Sequence, residues 1–256
     1  MSLERNEPRP RSAPPHPALR PYYQTDEEKA GFVRSLFDAS AGHYDRIERM
    51  MALGSGPWYR RQALVRAGLT PGMAVLDVAI GTGLVAREEI TVLGDTGSVI
   101  GLDPSPGMLR EARRTLGVRT VMGRGEQLPF PAGRFDFLSM GYALRHLADL
   151  TDAFSEFHRV LRPGGIACIL EWTRPPDRLR YCLLRFYLHR VVPTLTRLTT
   201  GNRDAALLMR YFWETIDACV PPEQILDAMS RSGLVEVRRS VVLGMFSEYV
   251  GRRPAP

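Results

Sequence analysis

The chain has 256 residues, 44% of them hydrophobic, and its 34 Lys and Arg against 28 Asp and Glu give a net charge of +6. This length predicts one large domain, and no apolar run approaches the roughly 18 residues that span a bilayer. Its three separated cysteines form no metal or disulfide pattern, and no nucleic-acid motif occurs. We therefore expect a cytoplasmic protein with no metal ion and no nucleic-acid partner.

The chain begins with a segment unlike the rest. Residues 1–24 are rich in Pro and Arg and poor in aliphatic residues, which predicts a disordered arm before a domain at 25–256. From Thr25 onward, acids follow an N-cap residue and apolar residues recur at helical spacing. This pattern predicts helices through residue 68, with a break at 54–57 (GSGP).

Strand-like and helix-like segments then alternate. The predicted strands are MAVLDVA, SVIGLD, RTVMGRG, RFDFLSMGYA and GGIACILEW, and the helices between them are LVAREEITVLG, PGMLREARRTLG and LTDAFSEFHRVLR. Repeated β-α units predict an α/β fold with a Rossmann-like, doubly wound and mostly parallel sheet. After Trp172 the pattern changes, and residues 176–216 are predicted to form a helical lid insert. Another helix is predicted for PPEQILDAMSRSG. An antiparallel C-terminal strand pair is predicted for VEVRRSVVLG and MFSEYV.

The first predicted strand runs into a glycine-rich loop, VLDVAIGTGLVA, that fits the dinucleotide fingerprint. Gly81 and Gly83 allow a tight turn and a close approach of the backbone to a ligand. Asp77 ends this strand and Asp103 ends the next one. Because the carboxyl ends of parallel strands share one edge of the sheet, we expect both carboxylates to lie beside the loop.

The position of Asp77 separates two classes of adenosine ligand. A carboxylate at the mouth of the site repels a pyrophosphate and suits the ammonium and sulfonium groups of S-adenosylmethionine, whereas Asp103 suits the ribose hydroxyls of either ligand. The loop also follows a long helical segment, although a dinucleotide domain usually begins with it. S-adenosylmethionine is therefore the predicted cofactor, and an NAD-dependent oxidoreductase is the weakest alternative.

The order of these blocks resembles class I S-adenosylmethionine-dependent methyltransferases. Four segments further resemble the ubiquinone and menaquinone biosynthesis C-methyltransferase family (UbiE-like). They are SAGHYDRIERMMALGSGPWYRR, GRGEQLPFPAGRFDFLSMGYALRHLADLTDAF, HRVLRPGGIACILEWTRP and RYFWETIDACVPPEQILDAM. The resemblance implies that Tyr44 closes over the methionine end of the cofactor, that Met108 packs on the adenine and that Gly125 lies nearby. It implies these cofactor residues in all: Tyr44, Asp77, Gly81, Thr82, Gly83, Asp103, Met108, Gly125 and Glu126.

The same resemblance implies methylation of a quinol-type aromatic carbon in respiratory quinone synthesis. Arg145 and His146 follow the fourth strand, and with Tyr44 they are the predicted catalytic residues. Arg145 would position or activate the acceptor, and an imidazole at His146 can take a proton near neutral pH. The alternatives are that Arg145 only pairs with a carboxylate such as Asp149, that His146 only begins a helix, and that Tyr44 is core. Glu171, at the end of the fifth strand, is predicted to be structural.

Several residues depart from the family pattern, mostly on the predicted acceptor side. They are Ile47, Glu48 and Ala52 in place of Met, Asn and Ser, Gly56 in place of His, Arg124 in place of an acid or Asn, and His146 in place of Asn. These changes leave methyl transfer intact and bear on the acceptor. A small-molecule C-, O- or N-methyltransferase of secondary metabolism is therefore the main alternative, and a non-catalytic cofactor- or lipid-binding protein is a weaker one.

The insert mixes Arg with large apolar residues, as in RLRYCLLRFYLHRVVPTLTRL. Its helices are predicted to cover an aromatic or lipophilic small-molecule acceptor. In an alternative interpretation, this amphipathic surface also contacts an anionic bilayer transiently, so that the protein is peripheral at the inner membrane. The lid would then admit the polyprenyl tail of an acceptor. No pattern in the sequence indicates an oligomeric state.

Overall fold

A computed structural model describes residues 13–51, 54–200 and 203–255. The described elements, in chain order, are α1 (Asp26–Met51), α2 (Gly56–Ala67), β1 (Val75–Val78), α3 (Leu84–Leu93), β2 (Val99–Asp103), α4 (Pro106–Leu116), β3 (Arg119–Met122), β4 (Phe135–Gly141), a 3₁₀ turn (Leu144–His146), α5 (Leu150–Val160), β5 (Leu161–Trp172), α6 (Arg178–Phe186), a π-helical turn (Tyr187–Val191), α7 (Val192–Thr200), α8 (Arg203–Ala218), α9 (Pro222–Arg231), β6 (Val235–Val242) and β7 (Phe246–Arg252).

The seven described strands form one sheet in the order β3-β2-β1-β4-β5-β7-β6. The first five strands pair in parallel, and β7 pairs antiparallel with both β5 and β6. The chain leaves β1 toward β2 on one side and returns to β4 on the other, so the switch point lies at the carboxyl ends of β1 and β4. The predicted Rossmann-like sheet with an antiparallel C-terminal pair is confirmed.

Helices cover both faces of the sheet. One apolar core lies between the sheet and α5 with α9, and the other lies between the sheet and α2, α3 and α4. Every residue of β1 and β2 is buried. This explains why these strands read as continuous apolar runs rather than as alternating ones.

A third core joins α1 to the insert. We call α6, the π-helical turn, α7 and α8 the lid helices. Their buried apolar residues pack with those of α1 and of residues 19–23. Because α1 and α8 both cross the carboxyl edge of the sheet, this core lies above the switch point. None of the described helices combines the length and the hydropathy of a membrane-spanning segment.

Residues 13–24, which the sequence predicts to belong to a disordered arm, contact the domain in the structure. His16 and Tyr23 are each only 3% exposed, and the hydroxyl groups of Tyr23 and Tyr211 are 3.3 Å apart. The backbone N–H of Ala13 donates to Asp149 Oδ2 at 2.6 Å. This segment is ordered by partners more than a hundred residues away, which its local composition does not reveal. Residues 1–12 lie outside the described residues.

Candidate active site

The glycine loop connects β1 to α3 in a left-handed conformation. Ala79, Gly81 and Gly83 all have positive φ, at 57°, 57° and 93°. A Cβ at Gly83 would lie 2.4 Å from Leu116 Cδ1, so only glycine fits there without a shift of the α4 side chain. Ala79 holds the same conformation with a Cβ, which costs about 1 kcal/mol or more and is typical of functional loops.

Asp77 is buried at the switch point. Its Oδ1 accepts a hydrogen bond from Ser139 Oγ at 3.2 Å, and Ser139 is its neighbour in register on β4. Its Oδ2 has no hydrogen-bond partner among the described residues. Burial, followed by the charge of Glu89, raises the pKa of Asp77. A buried acceptor without a donor fits a ligand that brings a cationic donor to this place.

Sequence reasoning missed Glu89, the second carboxylate beside Asp77. Glu89 lies on α3, is fully buried, and has no hydrogen-bond partner for either oxygen within the described chain. Burial raises its pKa to about 7. An available signal was an acid on the buried face of the predicted helix LVAREEITVLG. The pair makes this region strongly favourable for positive charge.

Asp103 ties the two strand-end loops together. Its Oδ2 accepts from the N–H of Gly81 at 2.9 Å, and its Oδ1 accepts from the N–H of Ser105 at 2.8 Å. Burial raises its pKa to about 6, and these two backbone donors oppose the rise. The structure therefore brings Asp77, the glycine loop and Asp103 together, as the strand ends predicted.

Helix α1 lies across these loops and contributes two acids that the sequence analysis did not single out. Asp38 accepts from Ser105 Oγ and from the N–H of Gly107, both at 2.6 Å. Asp45 accepts from Thr82 Oγ1 at 2.5 Å. Helix α1 thus packs over the two strand-end loops, and Tyr44 lies on this helix.

The remaining predicted cofactor residues lie around the same edge. Met108 is buried in the first turn of α4, and its N–H donates to Ser105 Oγ at 3.1 Å. A Cβ at Gly125 would lie 3.4 Å from a methyl of Val78, at the end of β1. Glu126 instead accepts from the N–H of Ala148 at 2.6 Å, which anchors the segment after β4.

Arg145 is fully buried and bonded to protein groups. Its Nε donates to Glu171 Oε1 at 2.9 Å, and its Nη atoms donate to the carbonyl oxygens of Phe212 and Tyr142. Arg145 does pair with a carboxylate, and the partner is Glu171 rather than Asp149. Asp149 instead caps α5 by accepting from the N–H of Thr151. Arg145 thus joins β5, the loop after β4 and a lid helix.

His146 lies in an aromatic cluster. Its ring stacks on Tyr211 at 5.6 Å between centroids and meets Phe37 edge-on at 5.2 Å. Neither ring nitrogen has a hydrogen-bond partner among the described residues. Burial, followed by the charge of Arg145, holds its pKa well below the usual range. The lowered pKa favours the neutral imidazole and makes His146 a weaker base than an ordinary histidine.

A cavity of about 70 Å³ opens beside Tyr44 between α1, α2, the loop after β4 and α8. Its wall is mostly aromatic, with side chains that include Tyr44, Tyr59, Tyr142, Trp172, Phe212 and Phe246. This volume is well below the roughly 300 Å³ of a typical ligand pocket. An aromatic guest therefore needs more room than this cavity offers in the structure.

One residue of this wall, Glu48, belongs to an ion pair. Arg60, from α2, donates through Nη2 to Glu48 Oε1, from α1. The Arg60 side chain is 1% exposed and that of Glu48 15%. Burial raises the pKa of Glu48, and Arg60 opposes the rise. No group of three or more potential metal-ligating side chains occurs in the part of the chain that the structure describes.

Comparisons with known proteins agree with one another. A model of the ubiE/COQ5 methyltransferase family matches residues 23–251. A demethylmenaquinone methyltransferase of Symbiobacterium thermophilum is 30% identical over 247 residues, covering 92% of this chain and 98% of the relative. One from Thermus thermophilus is 33% identical, covering 86% and 100%. A solved SAM-dependent methyltransferase of Thermotoga maritima has a TM-score of 0.61 at 20% identity, covering 86% and 99%.

Proposed function

Because the chain belongs to the ubiE/COQ5 methyltransferase family and is an S-adenosylmethionine-dependent methyltransferase, we propose that it methylates a ring carbon of a quinol in ubiquinone or menaquinone biosynthesis. The relatives named demethylmenaquinone methyltransferase match over almost their whole length, which supports this acceptor class. The observation that carries the proposal is the aromatic cavity beside the cofactor loops, since a flat aromatic ring suits such a wall.

The cofactor would be held by residues already described. The orphaned oxygen of Asp77 suits the ammonium group, Asp103 suits the ribose hydroxyls, and the loop through Gly81 and Gly83 leaves its backbone open to a ligand. When bound, S-adenosylmethionine supplies a methyl group on a positively charged sulfur. The chain's own task is to orient the acceptor, remove its proton and exclude water.

The test is methyl transfer by the purified chain under anaerobic conditions. The acceptor is a demethylated naphthoquinol with one prenyl unit, kept reduced with dithionite, and the product is identified by mass spectrometry. A matched 1,4-dimethoxy derivative, which has no hydroxyl group, serves as the negative acceptor. C-methylation of the naphthoquinol alone supports the proposal. Methylation at oxygen, or no methylation of either the naphthoquinol or a demethylated benzoquinol, contradicts it and favours a secondary-metabolite acceptor.

We also propose that the lid helices contact an anionic bilayer, from which a polyprenyl acceptor is drawn. Leu179, Leu183 and Phe186 follow one another at helical spacing on α6 and are 69%, 61% and 63% exposed. Leu195 and Leu198 of α7 are also exposed. Arg residues interleave with these apolar side chains throughout the segment, and the net charge of the chain is +6. An exposed apolar face with flanking Arg is typical of helices that lie in a lipid interface.

Sedimentation with vesicles tests this contact. We expect the protein to pellet with vesicles of phosphatidylglycerol and phosphatidylcholine in equal amounts, and to pellet less as salt is added, because screening weakens the attraction of Arg to the anionic lipids. Equal binding to vesicles of phosphatidylcholine alone would remove the charge argument. Absence of binding to either would remove the membrane contact.

A further inference from the structure

Glu48 is the one charged side chain among the described residues that line the aromatic cavity. Among the described residues that line it, the others are aromatic, apolar, glycine or serine. A carboxylate held in such surroundings is costly unless it is paired, and Arg60 provides the pair. The Glu48 carboxylate is therefore a charged group in a wall that otherwise suits a flat apolar ring.

The residues predicted for proton removal do not reach this cavity. Neither Arg145 nor His146 is among its described lining residues. Arg145 donates to Glu171 and to backbone carbonyl oxygens, and His146 is packed between rings. Glu48 is thus better placed than either of them to contact a hydroxyl group on a ring in the cavity.

Gly56 lies directly beside the Glu48–Arg60 ion pair. A Cβ at this position would lie 2.6 Å from Glu48 Oε1 and 3.1 Å from both Nη atoms of Arg60. A side chain at the start of α2 would therefore crowd the ends of both side chains of the pair. The two departures from the family pattern at Glu48 and Gly56 therefore lie next to each other in the structure.

We propose that Glu48, held by Arg60, accepts the hydroxyl proton of the acceptor in this cavity. The inference rests on the proposed function and deepens it, because it selects acceptors with an acidic hydroxyl beside the methylated carbon. In this step the O–H bond of the acceptor breaks, a new O–H bond forms on Glu48, and the electron pair remains on the acceptor oxygen. The ring carbon becomes nucleophilic as a result, and no oxidant or reductant is required.

The electrostatic surroundings suit this role. The titratable and charged groups that act on Glu48 come from its own helix, from α2 and from the loop after β4: Tyr44, Asp45, Arg49, Arg60 and Tyr142. Burial makes the carboxylate a stronger base than one in water, and Arg60 opposes this effect. A raised pKa makes a carboxylate a better acceptor for the proton of a hydroxyl group.

A binding experiment tests the contact without turnover. With S-adenosylhomocysteine bound, the affinities for 1-naphthol and for 1-methoxynaphthalene are measured by calorimetry. We expect the parent to prefer the naphthol by about tenfold, the value of a hydrogen bond to a charged acceptor, and Glu48→Gln to lose most of this preference. The matched control is Glu88→Gln, which alters another Arg–Glu pair of the same region, Arg61–Glu88. An equal preference in the parent and Glu48→Gln overturns the proposal.

A pH profile of methyl transfer to the reduced naphthoquinol gives a second readout. We expect Glu48→Gln to lower kcat by about 10²–10⁴-fold and to remove the acidic limb of the profile. Arg60→Lys should keep that limb but shift its midpoint, which a purely structural pair would not do. An unchanged limb in Glu48→Gln also overturns the proposal. A parent that binds the naphthol through Glu48 but methylates no quinol instead contradicts the proposed function.

Discussion

The guanidinium of Arg145 and the carboxylate of Glu171 form a salt bridge at 2.9 Å in which both side chains are almost completely buried. The pair joins the loop after β4 to the end of β5, and Arg145 also contacts the ring of Phe212 at 4.4 Å. Removing one member of a buried pair leaves an uncompensated charge. The Arg145–Glu171 pair therefore links the sheet to the lid helices.

We therefore expect Glu171→Gln to lower the free energy of unfolding by about 3–5 kcal/mol, measured by urea denaturation. Glu111→Gln is the control, because Glu111 pairs with Arg114 on the surface of α4 and such a pair contributes less than about 1 kcal/mol. Equal stability of the two variants would show that Arg145 finds another acceptor or becomes solvated.

Cofactor affinity is expected to depend on the two strand-end acids. Asp77→Ala and Asp103→Ala should each weaken binding of S-adenosylhomocysteine by about 1.5–3 kcal/mol, because each removes a charge-assisted hydrogen bond. Calorimetry measures the effect, and Asp227→Ala, at an exposed position on α9, is the control. If both variants bound like the parent, the assignment of the cofactor loop would fail.

The buried acid Glu89 predicts a pH-dependent stability. Its pKa is raised from 4.5 to about 7 by burial, so the folded state holds the proton more tightly than the unfolded state. The stabilisation is fully present below pH 4.5 and is lost as pH rises through about 7, a change of about 3 kcal/mol at most. Glu89→Gln should therefore unfold at higher urea than the cofactor-free parent at pH 8, and at similar urea at pH 5. A larger stabilisation at pH 5 would reverse the sign of this argument.

The neutral state of His146 is directly measurable. Because its pKa lies well below the usual value, its ring resonances in nuclear magnetic resonance spectra should not titrate between pH 6 and pH 8, and His146→Asn should leave the pH profile of methyl transfer unchanged there. The spectrum of His146→Asn identifies which ring resonances belong to His146. A midpoint near 6.5 for His146 would restore the base role that the sequence predicts.

Lid binding to lipid should depend on the exposed apolar residues of α6. Leu183→Ser with Phe186→Ser should lower the affinity for anionic vesicles at least about tenfold, since each side chain contributes roughly 1.5–3 kcal/mol when fully buried. Val65→Ser, at a half-exposed position on α2, is the control. Unchanged sedimentation of the double variant would assign the contact to another surface.

Local patterns in the sequence determined the sheet and the cofactor loop. Apolar runs separated by helical repeats predict parallel strands, and parallel strands bring Asp77 and Asp103 to one edge wherever the remaining chain goes. The motifs also identified the family, which the family model confirms over residues 23–251. These features depend on neighbours in the chain and on one rule of topology, so they can be predicted without a structure.

Only the tertiary structure decided which charges meet. Arg145 pairs with Glu171 rather than Asp149, Glu89 is buried beside Asp77, and His16 is buried although its segment reads as disordered. The pairing of Glu48 with Arg60 joins helices α1 and α2, and a Cβ at Gly56 would lie within 3.1 Å of both side chains. Burial and pairing depend on what the rest of the chain packs against a residue, and that information is not local to the sequence.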